Sequence, residues 1–296
     1  MNILITGGTG FIGRAVLKQL ESEGNQITLI SRSPEIYRTQ FSAKTTILSS
    51  LSSFENLDEF DAVINLAGEP IFDKRWDEAQ KQCLLDSRVH ITQQLVELIN
   101  RSNQPPHTFI SGSATGYYGH NDQITLTEKM PAADDFQGQL CKQWEDTSLQ
   151  ANTRVCLLRT GLVLGSYGGM LAKILPLYSH WLGGKLGNGQ QIWSWISLPD
   201  MVNAIIFLLK NPQCSGAFNL VSPNPVSNQE FNKTLAKLMK RIAICHVPAW
   251  LLRLILGERA SLLLNCQKVY PEKLLKAGFQ FTLPTLADAL NKILKN

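Results

Sequence analysis

The sequence predicts an α/β fold: a Rossmann-type doubly wound parallel sheet with a smaller, mostly helical C-terminal lobe. Three observations carry that expectation. Short, continuously apolar runs alternate with helical stretches as far as residue 161, the pattern of strands buried on both faces and joined by crossover helices. A glycine-rich turn, "TGGTGFIG" at 6–13, separates the first run from the first helix. Beyond residue 222 the alternation gives way to a helix-rich tail.

The elements follow in order. "NILIT" (2–6) is the first strand, and Phe11, Ile12, Ala15, Val16 and Leu20 line one face of a helix that stops near Gly24. "QITLIS" (26–31), "TTILS" (45–49), "DAVINLAG" (61–68), "HTFISG" (107–112) and "RVCLLRTG" (154–161) supply five more strands, with helices near 76–101 and 136–151 between the later ones. A glycine-rich loop at 183–189 leads to "QQIWSWISLPDM" (190–201), a helix after Pro199 and a strand "AFNLV" (217–221). Pro223 and Pro225 mark a linker at 222–226. The expected division is a Rossmann domain over 1–222, with part of a substrate lobe inserted after about 165, and a C-terminal substrate lobe over 223–296.

Composition narrows the function. With 296 residues, 44% of them hydrophobic, the chain can bury a large core. A net charge of +4 is too mild to point to nucleic acid and suits a phosphate-bearing ligand. The six cysteines form no C-x-x-C pair and the histidines are scattered, which points to reduced thiols, a cytoplasmic location and no zinc site. The apolar stretch around 250–256 is too short to span a bilayer and contains Arg253. The expected partner is a small-molecule substrate, with neither nucleic acid nor membrane.

The glycine turn is the strongest motif. Gly8, Gly10 and Gly13 satisfy G-x-G-x-x-G, and Gly7, Gly10 and Gly13 satisfy G-x-x-G-x-x-G. Glycine permits the tight turn, lets backbone N–H groups approach a pyrophosphate, and lets helix pack on strand. Thr6, Thr9, Phe11 and Ile12 complete the segment. The alternative, a tight turn without a ligand, is disfavoured by the strand–turn–helix context. The second strand ends in Ser31 and Arg32, where an NAD site usually carries an acid for the ribose 2′-hydroxyl. A hydroxyl and a guanidinium suit a 2′-phosphate instead, so NADP(H) is the expected cofactor.

With these residues in place the chain resembles an extended or atypical short-chain dehydrogenase/reductase. More narrowly it is similar to the bacterial "epimerase family protein" branch, described as sugar-nucleotide epimerase-like. The resemblance rests on "NLAGEPI" (65–71), "RW" (75–76), "SGSATGYYG" (111–119), "LCKQWE" (140–145), "LRTGLVLG" (158–165) and "WSWISLPDM" (193–201), and on a C-terminal block of unknown role at 247–290. It implies that Ala67 and Gly68 let the chain pass close under the cofactor ribose, with Leu66 also in the cofactor site, and that Glu69 and Arg75 belong to the NADP(H) pocket, the alternative being a solvated loop pair. Arg159 faces the expected cleft, as a cofactor contact or as an ion-pair partner.

Enzymes of this family use a serine or threonine after the fifth strand plus Tyr-x-x-x-Lys on the next helix. Ser113 takes the serine's place, but alignment on Glu145 puts Gln137 where the tyrosine belongs and Cys141 where the lysine belongs. A phenol has a pKa of about 10, so a tyrosine base without its lysine forfeits up to about 4 kcal/mol; a tyrosine acting only as an acid loses less. Tyr117 and Tyr118 are the nearest phenols, either packing residues or the proton source. The expected function is an NADP(H)-dependent oxidoreductase or epimerase-like enzyme, with Ser113 polarising a carbonyl and Tyr117 or Tyr118 donating a proton. The rival is an NADP(H)-binding regulator without catalysis. Trp193 and Trp195 read as half-buried strand residues, Cys141 as a core residue and Asp200 as a helix-start residue.

Overall fold

In the computed structural model, which describes residues 1–42 and 44–295, seven strands form one parallel sheet. They are β1 (Asn2–Thr6), β2 (Gln26–Ile30), β3 (Thr45–Leu48), β4 (Ala62–Asn65), β5 (Thr108–Ala114), β6 (Arg154–Thr160) and β7 (Gly216–Leu220). Their order is β3-β2-β1-β4-β5-β6-β7. The direction of winding reverses between β1 and β4, so a crevice opens at the carboxyl ends of those strands, where sheets of this topology take their ligands.

Both faces of the sheet are covered, which explains the uninterrupted apolar runs. Ile3 and Ile5 of β1 pack with Val16, Leu17 and Leu20 of helix α1 (Phe11–Ser22) in one core. Leu4, between them, points the other way, into a core with Leu95 and Ile99 of helix α2 (Glu78–Arg101). Each such side chain contributes on the order of 1.5–3 kcal/mol.

Strand ends differ from the expected ones where side chains intervene. β4 stops at Asn65 because the Asn65 carboxamide oxygen takes the Thr6 hydroxyl (2.6 Å) and the Ala67 N–H (3.3 Å), turning the chain out of the sheet. β5 runs on through Ser113 and Ala114, because β6 pairs with it that far and sets Ser113 opposite Arg159. Helix α3 (Phe136–Ser148) lies beyond them, with Asp135 as its N-cap.

Helices α4 (Gly169–Ser179), α5 (Leu198–Lys210), α6 (Asn228–Leu238), α7 (Ala249–Leu256) and α8 (Leu286–Lys295) complete the long elements. A second core unites Leu164, Trp193 and Trp195 with Phe231, Leu235, Leu290 and Ile293, so residues on both sides of 222–226 share it. The tail also returns to the main core through Leu274 and Phe279. Trp193 and Trp195 are more deeply buried than expected: their indole N–H groups reach the carbonyls of Leu263 and Asn224. Asp200 does more than start α5. It is fully buried, and its carboxylate accepts the N–H groups of Thr282 and Leu283 at 2.7 and 3.0 Å, pinning the tail to the sheet domain. Among the described residues no helix is long and apolar enough to cross a membrane.

Candidate functional site

The turn between β1 and α1 has the backbone its glycines predict. Gly7 has φ +71°, a left-handed conformation, and a Cβ on Gly13 would lie 2.2 Å from the Gly7 carbonyl oxygen. Gly8 is buried against Leu29, while the Thr9 carbonyl accepts from Arg14 Nε at 2.7 Å. The N-cap of α1 is Gly10, with no side-chain cap and no acid in the first turn. Helices α2, α3, α5 and α6 carry caps from Asp77, Asp135, Ser197 and Ser227, while α4 and α7, like α1, have none. The first-turn N–H groups of Phe11, Ile12 and Gly13 therefore meet no capping side chain, and the positive end of the helix faces the crevice. Phe11 meets Tyr167 edge to face at 5.4 Å.

At the end of β2, Ser31 is buried and its hydroxyl accepts the Ser33 N–H at 3.3 Å. Arg32 is exposed and, among the described residues, has neither a hydrogen bond nor an ion pair. These groups fit a phosphorylated dinucleotide: a close-approach turn, an uncapped helix end for a pyrophosphate and an unpaired guanidinium for a 2′-phosphate.

The segment after β4 is held from below. Leu66 N–H bonds the Thr6 carbonyl at 3.0 Å, and the Thr6 hydroxyl is engaged by Asn65. Gly68 lies against the Arg88 guanidinium, which donates to the Glu69 carbonyl at 2.9 Å. The Glu69 carboxylate pairs with Lys74 at 2.9 Å. Arg75, expected beside it, is exposed and next to Gly257 of the tail.

The candidate proton-transfer residues are differently placed. Ser113 is buried, and its hydroxyl donates to Glu145 Oε1 at 2.6 Å rather than standing free for a substrate. Arg159 is 4% exposed and takes the ion-pair alternative. Its Nε and Nη2 each meet the Glu145 carboxylate at 2.8 Å, and Nη1 reaches the Tyr118 hydroxyl at 2.9 Å and the Glu128 carbonyl at 3.2 Å. It is not open to a cofactor. The Tyr118 hydroxyl donates to Asn219 Oδ1 at 2.6 Å, and burial pushes its pKa up to about 12. Tyr118 is thus a packing and bridging residue, not an acid facing the cleft. Tyr117 is half-buried with its ring 3.5 Å from the Arg159 guanidinium carbon, and its hydroxyl has no hydrogen bond among the described residues.

The two dyad positions are closed as well. Gln137 donates to Ser261 Oγ at 3.0 Å, tying α3 to the tail. Cys141 is buried with Trp76, Leu84 and Leu140, and burial first, then the Glu145 carboxylate, pushes its thiol up to about 12. Gln137 nonetheless lines a cavity of about 600 Å³ with Trp76, His120, Phe136, Arg253 and Ser261. Among the described residues no cluster of His, Cys, Asp or Glu could hold a metal.

Glu145, Asn219 and Arg88 organise this region and were not singled out as functional from the sequence. A signal existed for two of them. Glu145 is an acid on the helix face that carries Cys141 and Trp144, and Asn219 interrupts an apolar strand; each calls for a buried partner. Nothing in the spacing of Arg88 marks it.

Residues 3–222 match the NAD dependent epimerase/dehydratase family, and residues 247–293 match a domain of unknown function, DUF1731. The chain is 37% identical over 303 residues to the Arabidopsis thaliana epimerase family protein SDR39U1 homolog, chloroplastic, covering 100% of this chain and 87% of that one. An epimerase family protein of Staphylococcus aureus is 36% identical over 296 residues, covering 99% and 98%. The crystal structure of human epimerase family protein SDR39U1 (isoform 2) with NADPH superposes with a TM-score of 0.93 at 33% identity, over the full length of both chains. UDP-glucuronic acid 4-epimerase from Bacillus cereus, in complex with NAD, has a TM-score of 0.78 at 17% identity and shares the fold. The glycine turn, the strand order and these likenesses along the whole chain agree: the protein belongs to the NAD dependent epimerase/dehydratase family and carries the DUF1731 domain at its C-terminus.

Proposed function

We propose that the protein binds NADP(H) and transfers hydride to or from a small or nucleotide-linked substrate, as an oxidoreductase or epimerase-like enzyme. The uncapped start of α1, with the unpaired Arg32 beside it, carries this reading. The NADPH in the human relative's structure supports it. The backbone N–H groups of residues 11–13 would hold the pyrophosphate, and Arg32 the 2′-phosphate. When bound, the nicotinamide supplies or accepts the hydride. The cavity beside Gln137 is the place for the substrate, with Trp76 and Phe136 as an apolar wall. Tyr117 is the phenol left to move a proton, because the protons of Ser113 and Tyr118 already serve Glu145 and Asn219.

The closed state of Ser113 and Tyr118 favours a second reading, an NADP(H)-binding regulator without turnover. One experiment separates the two: calorimetric titration with NADPH and NADH, then a screen of carbonyl metabolites that follows nicotinamide absorbance. NADPH consumption supports the enzyme. Tight binding without consumption across the panel supports the regulator. Failure to bind NADPH overturns both.

A further inference from the structure

One face of the C-terminal lobe joins exposed apolar side chains to basic ones. The short strands Gly184–Leu186 and Cys245–Val247 pair in parallel there. Trp181 and Leu182 precede the first strand, and Ile242 and Ile244 precede the second. The Cys245 N–H donates to the Gly183 carbonyl at 3.2 Å, and the Arg241 guanidinium lies 5.0 Å over the Trp181 ring, so the four side chains share one patch. All four are exposed, Trp181 by 52% and Ile244 by 84%. The second strand leads directly into α7, which shows Trp250, Leu254 and Ile255 to solvent.

Two further observations say what this patch meets. Residues 147–199 and 231–257 contain no Asp or Glu, while Lys185, Lys233, Lys237, Lys240 and Arg241 lie within them. Trp181 and Lys240 are also the residues other than glycine with positive φ (64° and 54°) among those described. Each sits just past a helix end, where paired bonds close the turn: Trp181 N–H to Tyr178 and Leu182 N–H to Leu177 after α4, Lys240 N–H to Lys237 and Arg241 N–H to Ala236 after α6. Glycine adopts that conformation without strain. A tryptophan held there, and half exposed, trades local stability for display.

We infer that this face docks on an anionic lipid bilayer, with Trp181, Leu182, Ile242 and Ile244 entering the headgroup region and the surrounding cations meeting lipid phosphates. Tryptophan favours that depth because its ring is apolar and its N–H polar. A second copy of the chain is a poor occupant, since two such basic faces would repel. Such a contact needs no membrane-spanning segment, although the sequence alone points to no membrane partner.

The test is co-sedimentation of the full chain with vesicles of phosphatidylcholine, alone or with about a third phosphatidylglycerol. The protein should sediment with the anionic vesicles only, and about 1 M salt should release it. Trp181→Gly should weaken vesicle binding about tenfold or more, leave NADPH affinity unchanged, and raise Tm by about 1–3 °C by relieving the positive φ. Ile244→Ser should weaken binding with no change in Tm. Equal sedimentation with both vesicle types, or full binding by both variants, overturns the proposal. So does a concentration-dependent dimer that Trp181→Gly dissolves, which would assign the face to a second copy.

Discussion

Two neighbouring ends of the same sheet treat their polar groups in opposite ways. Beyond β1 and β2, the first turn of α1 has no cap and Arg32 has no partner. Beyond β5 and β6, Ser113, Glu145, Arg159, Tyr118 and Asn219 are all bonded to one another or to nearby backbone. Unpaired groups at a surface crevice await a ligand. A closed buried network holds the fold together and has no proton to offer without breaking. The difference teaches that the end beyond β1 and β2 leaves polar groups free for a ligand, while Ser113 and Tyr118 at the other end spend their hydroxyl protons on the buried network.

Substitutions that cross the two regions sharpen the contrast. The largest effect belongs to Glu145→Ala. It leaves the buried Arg159 guanidinium uncompensated and should cost about 3–5 kcal/mol in urea unfolding. A loss below 1 kcal/mol would mean that the pair is solvated. Next comes Arg32→Ala, which should weaken NADPH about 10–100-fold, leave NADH affinity unchanged and leave urea stability within about 0.5 kcal/mol. Equal loss of both cofactors would remove the 2′-phosphate role.

The smallest effect is alkaline. The Tyr118 pKa rises from 10.0 to about 12 in the folded state, so the folded protein holds that proton more tightly. The contribution is fully present below pH 10 and is lost as pH rises through 12. Tyr118→Phe should therefore flatten the loss of stability measured across that window; an unchanged slope would mean that the phenol is not buried.

Much of this was legible in the sequence because it is local. The glycine turn, the apolar runs and the end of β2 depend on residues close together along the chain, and periodicity and spacing report them directly. The absence of Tyr-x-x-x-Lys was equally plain. Two things were not legible. The direction of a hydroxyl depends on what lies across a strand register: Ser113 stands opposite Arg159, and Glu145 reaches both from α3. A charge-assisted bond to a carboxylate outcompetes one to a neutral acceptor, so the serine turns inward. The Asp200 anchor was missed for the same reason, since its partners Thr282 and Leu283 lie about eighty residues away.

Ser113→Ala tests the contrast most directly, with NADPH affinity measured by calorimetry and stability by urea unfolding on the same protein. The expected result is an affinity within about twofold of wild type and a stability lower by about 1.5–3 kcal/mol, the worth of a hydrogen bond to a charged group. The contradicting result is an unchanged stability with NADPH binding weakened about tenfold or more, which would put the serine in the cofactor cleft and leave Glu145 bonded well enough without it.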